Sequence, residues 1–224
     1  MKLLKDILYK VSVNAVFGDT NMEVTQIAFD SRTIKNGAVF VAQKGVSVDG
    51  HLYIDKAISL GATSIICEVL PEEMQHGITF IQVEDSNTTL AIIASNFYNN
   101  PSSKLKLIGV TGTNGKTTVA SLLYQLLKKS GYKTGLLSTV QILVDTTVFK
   151  ATHTTPDSVT INNYLHQMVL LGVDYCFMEV SSHGIHQKRT EGLEFAGGIF
   201  TNLSHDHLDY HNSFASYRDV KKTF

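Results

Sequence analysis

The stretch that decides the fold is Leu105–Leu127, LKLIGVTGTNGKTTVASLLYQLL. It begins as a short apolar strand and then breaks into a loop that contains Gly109, Gly112 and Gly115. From Val119 onward, apolar residues recur at the spacing of a helix. A glycine-rich turn between a buried strand and a helix can direct several backbone N–H groups at one phosphate chain. The stretch therefore predicts a phosphate-binding loop.

Two side chains at the start of this helix strengthen the prediction. Lys116 supplies a mobile positive charge for terminal phosphates, and Thr117 supplies a hydroxyl suited to Mg²⁺. The strict pattern G-x-x-x-x-G-K-[ST] requires glycine at position 110, where this chain has Val110. The alternative is an ordinary strand–turn–helix with a surface lysine. We interpret the stretch as a site for ATP or GTP.

The composition is that of a globular protein, and the net charge gives no indication of a strongly charged partner. The 224 residues are 43% hydrophobic and 17% charged, which suits one large domain or two small ones. A formal net charge of -1 gives no electrostatic basis for binding nucleic acid or a membrane surface. Cys67 and Cys176 lie in apolar runs typical of strands, which predicts buried reduced thiols. No signal peptide or membrane span is evident, so we expect a soluble cytoplasmic protein.

Before residue 99 the hydrophobic pattern predicts a small α/β unit. Two polar turns, at 30–32 and 45–51, interrupt it, and each could be a plain turn. The cluster Asn99–Ser103 favours a loop, so we place domains at 1–100 and 101–224. The predicted elements are a helix over 2–10, strands at Glu23–Phe29 and Ala38–Ala42, a helix over Tyr53–Leu60, strands at Ala62–Glu68 and Thr79–Val83, and a helix over Asp85–Asn99.

After residue 103, strands and helices alternate, which predicts a doubly wound, mostly parallel sheet. We expect further strands beyond Phe224, because the last residues look like the opening of a helix. The predicted elements are a strand at Leu105–Val110, a helix over 116–129, a strand at Thr134–Val140, a helix over 158–171, and strands at Tyr175–Val180 and Gly198–Leu203.

Three polar clusters could carry chemistry at the ends of these strands. In the turn His153–Asp157, the hydroxyls of Thr154 and Thr155 would be free for a ligand, although a helix cap alone is an equal alternative. Glu179 ends a strand that could neighbour the phosphate loop, and an unpaired buried glutamate would be costly. We therefore interpret Glu179 as a Mg²⁺ ligand.

The third cluster, Ser204–His211, holds histidines and aspartates that could suggest zinc. No cysteine lies close in sequence, and a surface polar loop is a further alternative. We favour a site in which His207 contacts a magnesium ion. By chemistry alone, Lys221 has no assigned role.

Taken together, these segments resemble the Mur ligase family, and within it the enzymes that add the third amino acid of the peptidoglycan precursor. In this family the phosphate loop starts at the position of Gly112, which explains the departure at Val110. The matching segments are Asp30–Arg32, Asp49–His51, Gly112–Thr118, His153–Asp157, Met178–Gly184 and Asn202–His211.

The resemblance implies a UDP-binding N-terminal domain, a central ATPase domain of which only the first part is present, and an absent C-terminal acceptor domain. It implies that ATP phosphorylates a carboxylate of UDP-N-acetylmuramoyl-L-alanyl-D-glutamate. The amine of L-lysine or meso-diaminopimelate then attacks the acyl phosphate. We expect a monomer, and no ligase activity from these residues alone.

Residue by residue, the resemblance implies four sets of contacts. ATP would bind Gly112, Thr113, Asn114, Gly115, Lys116, Thr117 and Thr118. Magnesium would bind Thr117, Glu179, His207 and, if carbamylated, Lys221. The catalytic residues would be Lys116, Glu179, His207 and Lys221. The uridine nucleotide would contact Phe29, Ser31, Val46, Ser47 and Val48. The muramoyl-peptide would contact Thr154, Thr155, Ser181, Gln187 and Arg189.

Two alternatives remain open at this point. A folylpolyglutamate synthetase shares the ATPase architecture but lacks a comparable uridine domain. A nucleotide-binding module without turnover would have no need of Glu179, His207 and Lys221 as a metal-binding set.

Overall fold

The computed structural model describes residues 2–45, 48–206, 208–211 and 213–224, and it leaves the side chains of Leu208 and Asp209 outside that description. The chain forms two compact units, Met1–Phe97 and Tyr98–Phe224. The first unit holds a two-stranded and a five-stranded sheet, and the second unit holds a six-stranded sheet.

The first unit is built on a mostly parallel sheet in the order β2-β7-β6-β5-β4, with only β2 antiparallel to its neighbour. Strands β5 and β6 are largely buried and form the centre of the core. The strands are β1 (Lys2–Leu3), β2 (Val13–Phe17), β3 (Glu23–Val24), β4 (Gln26–Ala28), β5 (Ala38–Val41), β6 (Ala62–Cys67) and β7 (Thr79–Val83); the α-helices are α1 (Leu4–Ile7), α2 (Ile54–Ser59) and α3 (Ser86–Phe97).

The start of the first unit differs from the sequence prediction. The helix predicted over 2–10 is too long at both ends, because α1 ends at Ile7 and because Lys2 and Leu3 pair with Val24 and Glu23 in a two-stranded ribbon. For the same reason the single strand predicted at Glu23–Phe29 is divided into β3 and β4, which belong to different sheets. Strand β2 was not predicted, since its side chains are mostly exposed and do not alternate between buried and exposed positions.

The second unit is a mixed sheet in the order β11-β10-β9-β12-β8-β13. Strands β9, β12, β8 and β13 run parallel, and β10 and β11 form an antiparallel hairpin at one edge. The strands are β8 (Lys106–Thr111), β9 (Thr134–Leu137), β10 (Gln141–Val144), β11 (Thr147–Lys150), β12 (Tyr175–Glu179) and β13 (Gly197–Phe200); the helices are α4 (Lys116–Lys129), α5 (Ser158–Leu170), α6 (Ser182–His186), α7 (Leu208–His211) and α8 (Phe214–Lys222).

The sheet of the second unit is covered on both faces, as the doubly wound prediction requires. Alternate residues of each strand point to opposite faces. On one face, α4 contributes Ala120 and Tyr124 to a cluster with Phe177. On the other face, α5 contributes Leu165 to a cluster with Cys176. The predicted fold class is therefore confirmed, and the hairpin β10–β11 is the main addition to it.

Two further observations bear on the class of protein. No described helix combines the length and the apolar character that crossing a bilayer requires. Cys67 and Cys176 are buried and free, as the sequence predicted.

We predict that neither thiol reacts while the protein is folded. Burial raises the pKa of the Cys67 thiol to about 11, and burial also raises the pKa of Cys176. Because the thiolate is the reactive species, labelling with Ellman's reagent at about pH 8 should be negligible until denaturant is added. Rapid labelling of either cysteine in the folded protein would contradict the buried placement.

Candidate nucleotide and substrate site

The phosphate loop lies between the end of β8 and the start of α4. Gly112 has φ of +140° and Gly115, which caps α4, has φ of +84°, so both adopt backbone conformations that favour glycine. The N–H groups of Lys116, Thr117 and Thr118 lie in the first turn of the helix, where no preceding carbonyl accepts them. Together with the positive end of the helix dipole, they form an arrangement suited to a phosphate group.

The loop is held in place by the residues that follow β13. The Thr113 N–H donates to the Asn202 carbonyl at 2.9 Å, and the Asn114 N–H donates to Asn202 Oδ1 at 3.0 Å. The Thr201 hydroxyl in turn donates to the Asn114 carbonyl at 2.7 Å. Two of the loop's N–H groups therefore fix its shape, and those at the helix start remain for a ligand.

Two lysines reach the same carbonyl of this loop. Lys116 Nζ donates to the Gly112 carbonyl at 3.0 Å and to the Thr113 carbonyl at 2.8 Å. Lys221 Nζ, on α8, donates to the Gly112 carbonyl at 2.9 Å, although the sequence alone gave it no role. Burial lowers the pKa of Lys116. Burial, and then the positive charge of Lys116, lowers the pKa of Lys221 to about 8.

Glu179 ends β12, directly beside β8, where it is in register with Val110. Its side chain is 1% exposed, and its carboxylate accepts a hydrogen bond from the Thr117 hydroxyl at 2.9 Å. It also accepts from the Thr139 N–H at 2.8 Å and the Thr139 hydroxyl at 3.1 Å. The premise that Glu179 is unpaired is therefore wrong, because neutral donors offset the cost of its burial.

The two hydroxyls predicted to be free in the turn 153–157 have different surroundings. The Thr155 hydroxyl donates to the Glu179 carbonyl and accepts from the Ser181 N–H, both at 2.9 Å. The prediction of a free hydroxyl is therefore wrong for Thr155, which ties the turn to the end of β12. The oxygen of the half-buried Thr154 lies 3.1 Å from that of Thr139.

The remaining predicted contacts for the muramoyl-peptide lie just beyond β12. Ser181 caps α6 by accepting a bond from the Gly184 N–H at 3.1 Å, and its own proton remains available. The Arg189 guanidinium donates to Gln187 Oε1 at 2.6 Å and to the Thr155 carbonyl at 2.6 Å. Burial lowers the pKa of this arginine. Ser181, Gln187 and Arg189 thus share one polar region beside Glu179.

The histidine-rich segment packs with the aromatic residues around it. The His183 ring lies 4.0 Å from the Tyr210 ring, centroid to centroid, and the Tyr210 hydroxyl lies 3.0 Å from His186 Nδ1. Gln187 donates to the same hydroxyl at 3.1 Å. Among the described residues, no group of three histidine, cysteine, aspartate or glutamate side chains could hold a metal ion. The predicted ligand His207 lies outside the described residues.

The first unit has a cavity of about 460 Å³. It brings together three of the residues predicted to contact a uridine nucleotide, Phe29, Ser31 and Val48. Val46 and Ser47 lie outside the described residues. The other lining residues, not assigned from the sequence, are Asp30, Arg32, Phe40, Gln43, Gly45, Gly50, Tyr53 and Lys56.

Two polar triplets around this cavity have structural roles. The Asp30 carboxylate accepts from the Arg32 N–H and guanidinium at 2.7–2.9 Å, and these bonds lower its pKa. His51 Nδ1 lies 2.6 Å from Asp49 Oδ1, while His51 Nε2 accepts from the Glu68 N–H at 2.9 Å. The Nε2 acceptor requires the proton on Nδ1. His51 thus connects the turn that contains Asp49 to Glu68, which directly follows β6.

Both units match models of known protein families. Residues 110–224 match the Mur ligase middle domain, and residues 23–98 match the Mur ligase family, catalytic domain. The chain is 56% identical to UDP-N-acetylmuramoyl-L-alanyl-D-glutamate--2,6-diaminopimelate ligase of Cytophaga hutchinsonii, over 99% of this chain and 46% of the relative. It is 51% identical to the protein of the same name from Phocaeicola vulgatus, over 100% of this chain and 46% of the relative.

A solved structure named for the same ligase has the same fold. It superimposes with a TM-score of 0.80 at 23% identity, covering 98% of this chain and 44% of that one. The chain thus spans about half the length of the curated relatives it matches.

We predict that Gly112→Ala destabilises the protein more than a matched glycine substitution. A Cβ at Gly112 would lie 2.0 Å from Thr201 Oγ1, whereas one at Gly131, with φ of +91°, meets nothing within 4 Å. Gly131→Ala should cost about 1–2 kcal/mol from backbone strain alone. Gly112→Ala should cost at least about 1 kcal/mol more, measured by urea unfolding. Equal costs would show that the loop and Thr201 are not in close contact.

Proposed function

The chain belongs to the Mur ligase family, and we propose that it is the nucleotide-binding half of a cytoplasmic ATP-dependent ligase of peptidoglycan synthesis. The whole enzyme would add 2,6-diaminopimelate to UDP-N-acetylmuramoyl-L-alanyl-D-glutamate. The names of relatives that align with 99–100% of this chain support diaminopimelate over lysine. The family matches in both units favour this function over a folylpolyglutamate synthetase.

One observation carries the proposal, the 2.9 Å contact between the Thr117 hydroxyl and the Glu179 carboxylate at the edge of the phosphate loop. A hydroxyl and a carboxylate are the hard oxygen donors that Mg²⁺ prefers. Their position beside the N-terminus of α4 puts a cation site next to a phosphate site. This pair supports the binding of a nucleotide with its magnesium ion, and the family matches in both units favour a ligase over a module that only binds a nucleotide.

In the proposed reaction, a carboxylate oxygen of the dipeptide attacks the γ-phosphorus of ATP, and ADP leaves. The amine of diaminopimelate then attacks the acyl carbon, a C–N bond forms, and phosphate leaves with the amine proton passing to base or solvent. The N–H groups at the start of α4 and the Lys116 ammonium stabilise the charge on the transferred phosphoryl group. This stabilisation is the main contribution of the described residues to the chemistry.

Magnesium would be held by Thr117 and Glu179, with His207 and a carbamylated Lys221 supporting a second ion. When bound, the metal neutralises phosphate charge and orients the transferred group. Lys221 is 3% exposed and contacts the phosphate loop, which supports a role beside the phosphates. Carbamylation would replace its positive charge by a carboxylate-like group, and so invert its effect on a nearby cation.

We propose residues 1–100 as the uridine-nucleotide domain, with Phe29, Ser31 and Val46–Val48 at the nucleotide, and 101–224 as the first part of the ATPase domain. The polar region formed by Thr154, Ser181, Gln187 and Arg189 would hold the muramoyl-peptide, with Thr155 acting by fixing the turn. The acceptor domain would belong to the part of the relatives' length that this chain does not span.

We predict that Lys116→Ala impairs ATP chemistry and leaves uridine-nucleotide binding intact. In the whole enzyme, loss of this ammonium should lower ADP release by about 100-fold or more, because it removes a preorganised charge at the phosphates. Calorimetry of the same variant with UDP-N-acetylmuramoyl-dipeptide should give a dissociation constant within about twofold of wild type. Lys129→Ala, at the exposed far end of α4, is the matched control and should change neither quantity. Normal turnover in Lys116→Ala would refute the proposed role of the loop.

We predict that the 224-residue chain makes no amide product by itself. It should bind ATP with Mg²⁺ and the uridine nucleotide, since the proposed contacts for both lie within it. A product assay with ATP, the UDP-dipeptide and diaminopimelate, read by mass spectrometry, checks this expectation. Tripeptide formed by this chain would show that no further domain is needed to present the amine.

A further inference from the structure

Thr139 contacts the buried carboxylate through two separate groups. It lies in the turn between β9 and β10, with its side chain exposed. Its N–H donates to Glu179 Oε1 at 2.8 Å, and its hydroxyl lies 3.1 Å from Glu179 Oε2. Thr117 supplies the other bond to this carboxylate. Both oxygens of Glu179 are therefore oriented by Thr139.

The turn that carries Thr139 is itself fixed. The Ser138 N–H donates to the Gln141 carbonyl at 3.2 Å, and the Ser138 hydroxyl donates to the same carbonyl at 2.8 Å. These bonds close the β9–β10 connection just before and after Thr139. Since β9 pairs directly with β12, the position of Thr139 relative to Glu179 is set by the sheet.

The Thr139 hydroxyl has one proton for two acceptors. The Thr139 hydroxyl lies within bonding distance of both Glu179 and the Thr154 hydroxyl, at 3.1 Å in each case. A hydroxyl has one proton to donate, and a carboxylate only accepts. Thr139 is the donor in both contacts, so its one proton is shared between the Glu179 carboxylate and the Thr154 hydroxyl. Thr139 thus links the turn that carries Thr154 to the carboxylate that Thr117 also contacts.

We infer that Thr139 is a positioning residue that orients Glu179 toward magnesium and joins the phosphate loop to the turn that carries Thr154. This inference rests on the proposed function, in which Glu179 serves the ATP-bound cation and Thr154 the muramoyl-peptide. Without the Thr139 hydroxyl, Glu179 and Thr154 each lose one hydrogen-bond donor. The carboxylate is then less well oriented for a metal ion, while the loop that binds the phosphates is unchanged.

The test compares Thr139→Val with Thr139→Ser in this chain. Valine keeps the shape and the backbone N–H but removes the hydroxyl, and serine restores the hydroxyl. Calorimetry with ATP, in excess Mg²⁺ and separately in EDTA, gives the gain in affinity that magnesium provides. We expect Thr139→Val to lower this gain by about threefold to tenfold, the net effect of one typical hydrogen bond. Thr139→Ser should restore it, and the affinity in EDTA should be unchanged in both variants.

A purely structural role would give a different result. Thr147→Val, on the exposed strand β11 of the same hairpin, is the matched control and should retain the wild-type gain. The thermal unfolding temperature of Thr139→Val should fall by a few degrees, because the buried Glu179 carboxylate loses one donor, and Thr139→Ser should restore it. A fall of affinity in EDTA equal to that in magnesium would overturn the inference in favour of a distorted hairpin.

The possible results distinguish a failure of this inference from a failure of the proposed function on which it rests. If the wild-type chain gains no affinity for ATP from magnesium, the proposed function fails and the inference with it. If magnesium raises the ATP affinity of the wild type and of Thr139→Val by the same factor, only the role of Thr139 is refuted.

A double-mutant cycle tests the link to Thr154. Thr154→Val removes the second acceptor of the Thr139 proton, which then serves Glu179 alone, and should raise the magnesium-dependent gain by a smaller factor than Thr139→Val lowers it. In the Thr139→Val background the same change should have no further effect, since no Thr139 proton remains to be shared. Simple additivity of the two effects would show that Thr154 and Thr139 act independently, and it would overturn the proposed coupling.

Discussion

The hydrogen-bonded burial of Glu179 is the constraint on which the second unit depends. The carboxylate is 1% exposed, so its charge requires donors wherever the chain places it. Those donors come from the start of α4 and from the β9–β10 turn, two segments far apart in sequence. Both must therefore be in place for the acid to be buried at acceptable cost. The same requirement brings an acidic oxygen, a hydroxyl and a helix N-terminus to one point of the sheet edge.

The parallel pairing of β8 and β12 makes this convergence possible. Val110 and Glu179 are in register, and the two strands end at the same edge. Such an edge is where ligands bind in open α/β sheets, because helix starts and strand ends meet there. A shift of register by one residue would turn Glu179 to the other face and separate it from Thr117. The chemistry proposed for the site therefore depends on strand register as much as on residue type.

The sequence predicted best what is encoded locally. The bounds of α4 follow from Gly115 at its start and from apolar residues at helical spacing, so the prediction over 116–129 agrees with the structure. The hydrogen-bonding role of Thr139 could not be read in this way, since the sequence placed it in a strand at Thr134–Val140, whereas β9 ends at Leu137. Its role depends on which strand lies beside β9, which is a tertiary fact. The prediction that the Thr155 hydroxyl is free failed for the same reason. Its two partners lie in β12 and just beyond it, and the sequence does not show that they are close.

The paired lysines show how the loop is stabilised and why it can still respond to a phosphate. Lys116 and Lys221 both donate to the Gly112 carbonyl, although their charges repel each other and burial disfavours both. An anion beside α4 would relieve that repulsion, because it offers Lys116 a charge-assisted bond in place of a bond to a neutral carbonyl. While its amine is unmodified, Lys221 would still hold the loop from α8 during such an exchange. In that state, before any carbamylation of Lys221, the electrostatic cost of two neighbouring ammonium groups becomes a preference for an anionic ligand.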